Sequence, residues 1–382
     1  MTIRIYTMTH KKFEVPADEM YVPLQVGRAV HEDLGYMGDD TGDNISAKNC
    51  YYSELTGLYW VWKNVKDADY VGVCHYRRYL INEKGKVFTK GELEQLLQKV
   101  DVITTKRVKL RYPYYEGYCA THHIENLDAT GDVIREMYPE YYPYFDRFVH
   151  GEETYFGNIM ICQKNIYDAY AEWLFSIFAE VEKRVDIDSY DDYHKRVFGF
   201  ISEILLLVWM RANKLSVYEC RVGMIGEKAE TREMKEQIAD FFAKKDVEGA
   251  KNYFLERLRV RPDVLMEASD ITGELKLCMQ VVATCEREKE TADASGGCIL
   301  DRGMPFPALM EYFRSLNAAV EYVRKGGNVK DVKGENGFLW QDVSDAAIYV
   351  AVRVLCTKPG EAEKTLRRIR EITACYLPET SV

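Results

Sequence analysis

A histidine and two arginines directly follow an apolar run in the first part of the sequence. The run at residues 69–74 is typical of a buried strand, and His75, Arg77 and Arg78 come after it. In α/β proteins the carboxyl end of a parallel strand opens into the crevice that binds ligands. Because arginine presents a fixed fork of donors to phosphate or carboxylate oxygens, a diphosphate is the first ligand predicted. The alternative is that both arginines only form surface ion pairs.

A second polar stretch follows the strand predicted at residues 3–6. It carries Thr9, His10 and Lys11. An open α/β sheet places ligand-binding groups at this end of a strand. We therefore predict that these three side chains lie near the same ligand.

Carboxylates and an asparagine cluster around one glycine at residues 39–46, where Asp39, Asp40 and Asn44 stand close together. Aspartate, asparagine and glycine dominate turns that are closed by side-chain hydrogen bonds. The run is therefore either such a turn or a site for sugar hydroxyls and a cation. Its spacing differs from that of an EF-hand loop, which argues against calcium.

Residues 107–150 lack a clear period and are rich in tyrosine, proline, histidine and arginine. A long, loop-rich segment inside a domain is usually functional, and aromatic rings suit the apolar faces of sugars. The alternative is that these tyrosines only cover the sheet. The adjacent His122 and His123 do not have the spacing of helical zinc ligands, which argues against a zinc hydrolase.

Two further side chains are candidates for proton transfer. Glu203 stands near the amino end of an apolar helix predicted over residues 200–212. A carboxylate there is either stabilised by the helix dipole or held as a base at a cleft, and position alone favours the structural role. His150 precedes a strand predicted at residues 158–162, and histidines titrate close to neutral pH.

Composition excludes several classes of protein. The chain has 382 residues and a formal net charge of −10, which argues against nucleic-acid binding through a general basic field. Its ten cysteines are scattered without a CxxC pair, which predicts reduced thiols in a cytoplasmic protein. No apolar run approaches the roughly 20 residues that span a bilayer, so we expect any membrane contact to be peripheral.

The order of predicted elements indicates two domains. Strands and helices alternate in the first part, which predicts an α/β domain over residues 1–225 with a mostly parallel sheet flanked by helices. Helical periodicity dominates residues 226–382 and predicts an all-α domain. Its later helices are predicted at residues 270–289, 307–324, 343–355 and 361–376.

Several blocks of the first domain together resemble a known family. They are Ile45-Ser46 with Lys48-Asn49, residues 54–60 with 62–64, residues 75–79, residues 157–160 with 173–175, and Arg196 with residues 199–203. In this order they are similar to a bacterial family of capsular and exopolysaccharide glycosyltransferases, some of which transfer galactofuranose. The resemblance covers roughly residues 3 to 222.

The resemblance implies a GT-A-like fold, with a Rossmann-type nucleotide-binding half joined to an acceptor half. The DxD motif that usually holds a divalent ion on the diphosphate is absent at the matching place, which carries residues 75–78. Arginines could neutralise the departing diphosphate without a metal, so we predict none. The alternative is Mn²⁺ or Mg²⁺ bound by Asp39, Asp40 and His75.

The resemblance also implies an inverting hexosyltransferase, in which Glu203 is the general base and His150 the second candidate. We expect it to move a hexose, with galactofuranose among the candidates, from a UDP-sugar to a lipid-linked or free oligosaccharide. The predicted donor-binding residues are Thr9, His10, Lys11, Asp39, Asp40, Asn44, His75, Arg77 and Arg78. The predicted acceptor-binding residues are Tyr114, His122, His123 and Asn158.

The expected setting is capsular, exopolysaccharide or O-antigen synthesis in the cytoplasm, at the inner face of the membrane. The UDP-sugar is a co-substrate, and no cofactor is certain. We expect the helical domain to mediate dimerisation or membrane contact. The alternative is a non-catalytic protein that binds nucleotides or carbohydrates on the same fold.

Overall fold

The computed structural model of the chain describes residues 1–224, 229–260, 270, 272–291, 298–327, 343–356, 358 and 360–373. The chain divides into two compact units, Met1–Gly226 and Glu227–Val382. Among the described residues, no helix is both long enough and apolar enough to cross a bilayer.

The first unit is built on a mixed sheet. Its strands are β1 (Ile3–Thr9), β2 (Tyr21–Gln25), β3 (Met37–Gly38), β4 (Tyr70–His75), β5 (Arg78–Ile81), β6 (Val102–Thr105), β7 (Val108–Lys109), β8 (Glu153–Thr154), β9 (Met160–Gln163) and β10 (Val217–Met224). β1 lies between β2 and β4 and is parallel to both, and β3 extends this parallel half. β7 and β8 form a separate antiparallel pair.

The other half of the sheet closes on itself. β9 runs antiparallel between β4 and β6, and β10 is parallel to β6 and antiparallel to β5. Because β5 also pairs with β4, the strands β4, β5, β10, β6 and β9 form a ring. The α/β prediction is confirmed, but the predicted mostly parallel sheet is a mixed one.

Helices cover this sheet. They are α1 (Asn49–Tyr52), α2 (Leu55–Asn64), α3 (Lys90–Leu97), α4 (Tyr114–Thr121), α5 (Ile124–Met137), α6 (Tyr142–Val149), α7 (Lys164–Val181) and α8 (Val197–Ala212). α8 is apolar nearly all round and is enclosed by the core. From Val197 to Met210, only Phe200 and Glu203 of this helix are not fully buried.

The helical spacing of Tyr51, Leu55, Leu58 and Trp62 predicts one helix over residues 49–64, and this prediction is wrong. The chain breaks between α1 and α2 at Ser53, whose φ of +50° lies in the left-handed region. A non-glycine residue rarely adopts this conformation, so local propensity does not predict the break. Its consequence is that Glu54, the N-cap residue of α2, reaches the functional site described below.

The segment at residues 107–150, predicted to be rich in loops, contains the three helices α4, α5 and α6. In α5 the buried face includes Asn126, Thr130 and Gly131. These polar and small residues interrupt the helical spacing of apolar residues by which a sequence predicts a helix. Pro143 stands in the first turn of α6, where a missing N–H breaks no helical hydrogen bond. Packing against the core therefore determines that these three helices form.

The described elements of the second unit are helical. They are α9 (Ala229–Ala243), α10 (Val247–Val260), α11 (Glu274–Thr291), α12 (Phe306–Arg324), α13 (Asp345–Leu355) and α14 (Glu361–Thr373), with a 3-10 turn at Ile299–Arg302. The predicted end of the last helix, at residues 374–376, lies outside the described residues. Cys285 and Cys298 form a disulfide, so the prediction of reduced thiols is wrong for this pair.

Candidate functional site

A half-buried cluster of charged groups lies where β4 ends, beside the first turns of α8. The peptide group of Gly157 connects its two central side chains. Its N–H donates a hydrogen bond to Glu203 Oε1 over 2.7 Å. Its carbonyl oxygen accepts one from His75 Nε2 over 2.6 Å. One backbone position therefore fixes both a carboxylate and an imidazole.

The backbone at residues 157–158 is left-handed, with φ values of +90° at Gly157 and +49° at Asn158. Glycine adopts this conformation without a steric penalty. A Cβ atom on Gly157 would lie 3.3 Å from Arg78 Nη1, so glycine also leaves room for this guanidinium. Arg78 makes no side-chain hydrogen bond or ion pair to any residue that the structure describes. Its donors are therefore available to a ligand.

A second carboxylate, Glu54, lies next to this centre. The side-chain amide of Asn158 donates to Glu54 Oε1 over 2.9 Å. Arg196 donates from Nε to the hydroxyl of Ser53 over 3.0 Å. Oδ1 of Asn158 is buried and has no hydrogen-bond partner among the described residues. Because such an atom is costly to leave unsatisfied, it is suited to a ligand hydroxyl.

Burial raises the pKa of Glu203 to about 8. The hydrogen bond from Gly157 opposes this shift, the charge of Glu54 adds to it, and Arg78 and Arg196 oppose it. A carboxyl group that titrates near neutral pH can exchange a proton with a substrate hydroxyl. The electrostatics therefore make Glu203 a candidate general base, beyond what its position in the helix indicates.

Glu54 and His75 respond differently to the same environment. Burial alone would raise the pKa of Glu54, but the charge of His75, the amide of Asn158 and the charge of Arg196 hold it below its usual value. Burial lowers the pKa of His75. The negative charge of Glu54 opposes this shift, and the positive charge of Arg78 adds to it. The two carboxyl groups of the site therefore have pKa values that are pushed apart, as in many acid–base sites.

The raised pKa of Glu203 predicts a pH-dependent stability. Between its ordinary value of 4.5 and the folded value of about 8, the folded state holds a proton that the unfolded state has lost. The free energy of unfolding should therefore fall across this window by up to about 1.4 kcal/mol per pH unit. The contribution is fully present below the unfolded pKa and is lost as pH rises through the folded pKa.

Denaturant titrations at pH 5, 6, 7 and 8 measure this slope. Glu203→Gln should reduce the slope, because glutamine does not titrate. Glu140→Gln, at an exposed position, should keep the wild-type slope. Equal slopes in wild type and Glu203→Gln would contradict the assignment.

The end of β1 lies beside the end of β4, as the parallel pairing requires. The N–H of Tyr76 donates to the carbonyl of Met8. The ring of His10 meets that of Tyr76 edge-on at 5.4 Å, and the guanidinium of Arg77 lies 5.1 Å from the same ring. The structure therefore brings two of the predicted donor-binding residues together around one tyrosine.

Thr9 and Lys11 form a local turn at this edge. The hydroxyl of Thr9 accepts a hydrogen bond from the N–H of Lys11 over 3.1 Å and donates to its carbonyl. Thr9 is buried, whereas Lys11 is exposed. Of the two, only the side chain of Lys11 is open to a ligand.

For residues 39–46 the hydrogen bonds support the turn. The fully buried Asp39 accepts from the N–H groups of Gly27 and Arg28 and from the hydroxyl of Ser46. Asn44 accepts from the N–H of Ser46 and donates to a nearby carbonyl. Asp39 therefore fixes the loops around β3 and does not face the sugar donor.

The alternative metal site does not fit these residues. Asp40 forms an ion pair with Arg28, and both oxygens of Asp39 are occupied. Across the described ranges, Asp39, Asp40 and His75 are not among the groups of three whose ligand atoms lie within 4.8 Å.

His150, the second candidate for the base, is exposed at the end of α6. Its ring stacks on Tyr115 at 5.4 Å, and its Nδ1 donates to the carbonyl of Asp146. Its contacts are separate from those of Glu203, so the two candidates do not form one catalytic pair.

The predicted acceptor residues form an aromatic wall beside α8. The hydroxyl of Tyr114 donates to the carbonyl of Phe200 over 3.2 Å. His122 stacks on the ring of Phe200 at 4.3 Å, and His123 stacks on Tyr190 at 3.8 Å. Because Phe200 and Glu203 are the two partly exposed residues of this stretch of α8, the aromatic wall lies next to the charged cluster.

The sequence did not single out Glu54 or Arg196 as site residues. Each carries a signal that could have found it. Glu54 is a charged residue directly before the apolar run of α2, and Arg196 directly precedes the apolar run of α8. A charged residue at the start of a buried helix either faces solvent or faces a site, and only the packing distinguishes these outcomes.

The sheet and the cluster together define an α/β protein with a carboxylate, an imidazole and a guanidinium at the end of a central strand. Residues 4–214 match the family described as "Domain of unknown function (DUF4422)". This match covers more than half of the chain, so the chain belongs to that family.

A solved structure, that of the WbbM bifunctional glycosyltransferase in its apo form, is similar to this chain. The two share 31% sequence identity with a TM-score of 0.56. The similarity covers 59% of this chain and 46% of that chain, so the matched region spans less than half of the other protein. No curated protein matches this chain.

Proposed function

We propose that this chain is a glycosyltransferase with a GT-A-like fold that uses a UDP-sugar as donor. The observation that carries the proposal is the convergence of Glu203, His75 and Arg78 on Gly157. A base and a cationic anion-binding group are the two requirements of glycosyl transfer from a diphosphate. The 31% identity to a bifunctional glycosyltransferase supports the same reaction class.

The reaction is a single displacement. The acceptor hydroxyl oxygen attacks the anomeric carbon of the donor sugar. The bond from that carbon to the diphosphate oxygen breaks, and its electron pair leaves with UDP. The ionised carboxylate of Glu203 takes the hydroxyl proton, and one displacement from the opposite face inverts the anomeric configuration. The raised pKa of Glu203 favours this proton transfer near pH 8.

Arg78 stabilises the negative charge that develops on the departing diphosphate, and Arg196 assists it. Fixed donors aimed at developing charge are usually the largest contribution to catalysis. Glu54 and Asn158 are positioning residues, because they hold the backbone that carries Gly157.

His10, Lys11 and Arg77 lie on the uridine side, and Tyr114, His122, His123 and Asn158 lie on the acceptor side. The transferred sugar is a hexose, with galactofuranose among the candidates. The acceptor is a lipid-linked or free oligosaccharide of a surface polysaccharide, and the reaction takes place in the cytoplasm. In this proposal the unit Glu227–Val382 serves dimerisation or membrane contact.

Thermal unfolding with UDP tests the proposal. UDP at about 100 times its dissociation constant should add about 2.7 kcal/mol to the free energy of unfolding. We expect the same stabilisation in EDTA, because the proposed anion site consists of guanidinium groups.

A shift that requires Mn²⁺ would overturn the metal-free site. The absence of a shift under all conditions would overturn the glycosyltransferase proposal. UDP binding without UDP release from any UDP-sugar would instead support the non-catalytic alternative.

A further inference from the structure

A cavity of about 220 Å³ lies among α4, α5 and α6 of the first unit. Its apolar lining includes Leu127, Phe145 and Val149, which are buried side chains of the core. Clefts that take drug-sized ligands measure about 300–1,000 Å³. A cavity below that range suits a ligand of the size of one monosaccharide.

Aromatic rings line two sides of this cavity. Tyr115 and His150 stack with an interplanar angle of 14°. Tyr142 is held under the guanidinium of Arg135, whose Cζ lies 4.3 Å from the ring centre. Flat rings that are fixed by their neighbours can pack on the apolar C–H face of a sugar at little entropic cost.

Carboxylates dominate the polar lining. Asp128 accepts a hydrogen bond from the hydroxyl of Tyr115 over 3.0 Å, and Asp132 accepts one from Arg135 over 2.8 Å. Asp146 is a third lining carboxylate. The lining also contains Arg135 and His150. The three carboxylates outnumber these two groups, so the lining has a net negative charge at neutral pH. Such a site repels phosphates and uronic acids and accepts hydrogen bonds from hydroxyls.

The cavity is separate from the Glu203 cluster, but consecutive residues of α4 contact the cavity and α8. Tyr114 is buried and reaches the carbonyl of Phe200 in α8, whereas Tyr115 lines the cavity. Successive residues of a helix point about 100° apart, so α4 presents one tyrosine to each place. The cavity and the contact with α8 therefore lie on neighbouring faces of α4.

We propose that this cavity is a subsite for one uncharged sugar unit of the acceptor, set apart from the reacting hydroxyl. The inference rests on the proposed function, because it assumes a saccharide acceptor. His150 belongs to this subsite and does not take part in the proton transfer.

Saturation-transfer NMR on the full chain tests the subsite. The probes are the methyl glycosides of galactose, glucose, mannose and N-acetylglucosamine at millimolar concentration, with methyl glucuronide as the anionic comparison. We expect at least one neutral glycoside to bind and the glucuronide to bind more weakly.

Two variants locate the binding. Asp128→Asn removes an exposed carboxylate without changing its size, and Tyr142→Ala removes one ring of the lining. Each should weaken the binding about two- to tenfold, the range for one lost hydrogen bond or ring contact. Glu140→Gln changes an exposed carboxyl group that does not line the cavity and should bind the glycoside as wild type does. Melting temperatures confirm that each variant is folded.

Binding that is unchanged in both Asp128→Asn and Tyr142→Ala would overturn the subsite, as would a preference for the glucuronide or the absence of binding by all the neutral glycosides. UDP stabilisation separates this inference from the proposed function. A chain that binds UDP but no glycoside contradicts only the subsite, whereas a chain that binds glycosides but not UDP contradicts the proposed donor.

Discussion

Replacing Glu203 with glutamine should lower the rate of glycosyl transfer about 10²- to 10⁴-fold, the usual contribution of a general base. Glutamine has nearly the same shape, and its Oε1 can still accept the hydrogen bond that Gly157 donates to Oε1 of the carboxylate. The fold and UDP binding should therefore persist while proton transfer is lost. UDP released from UDP-sugars, with and without a saccharide acceptor, measures the rate.

The pH dependence of kcat/KM gives a second readout of the same residue. Because the ionised carboxylate accepts the proton, kcat/KM should rise with pH and level off above the pKa of about 8. Glu140→Gln serves as the matched control and should show the wild-type rate and profile. If Glu203→Gln retained wild-type transfer, Glu203 would be a structural residue.

Replacing Arg78 with alanine should weaken UDP binding about 10- to 100-fold, because hydrogen bonds to charged groups contribute about 1.5–3 kcal/mol each. The transfer rate should fall by a further 10²- to 10³-fold, as when one donor to a developing anion is removed. The effect on folding should be small, because Arg78 makes no side-chain hydrogen bond or ion pair within the described part of the chain.

Calorimetric titration with UDP and the UDP-release assay separate the two effects of this substitution. Arg78→Lys should recover part of the affinity, because it keeps the charge but loses the forked geometry. The matched control is Arg147→Ala, an exposed arginine of α6 whose guanidinium lies 5.6 Å from the ring of Phe148. Wild-type UDP affinity in Arg78→Ala would exclude this guanidinium from the diphosphate site.

The disulfide between Cys285 and Cys298 shows one limit of sequence patterns. Cysteine spacing without a recognised motif carries no information on which thiols meet. Here Cys285 within α11 and Cys298, directly before a 3-10 turn, have a Cα separation of 5.2 Å, a distance that suits a disulfide. Only the packing of the helical unit determines this pair.

The sequence alone determined the parts of this protein that depend on local pattern. The apolar run before His75 folds as β4, the aliphatic run after Gly199 lies within α8, and His75 ends β4. These predictions succeed because alternation, apolar runs and the fixed direction of a strand are encoded in neighbouring residues.

The tertiary structure alone decided which of these residues meet and how they titrate. Glu203 lies 46 residues from Gly157, and His75 lies 82 residues from it, so no local pattern specifies their contact. The hydroxyl of Ser53, at the break that delivers Glu54, accepts a hydrogen bond from Arg196, which lies 143 residues further along the chain. The pKa of Glu203 rises because packing removes water from its carboxyl group, and desolvation is a property of the folded structure.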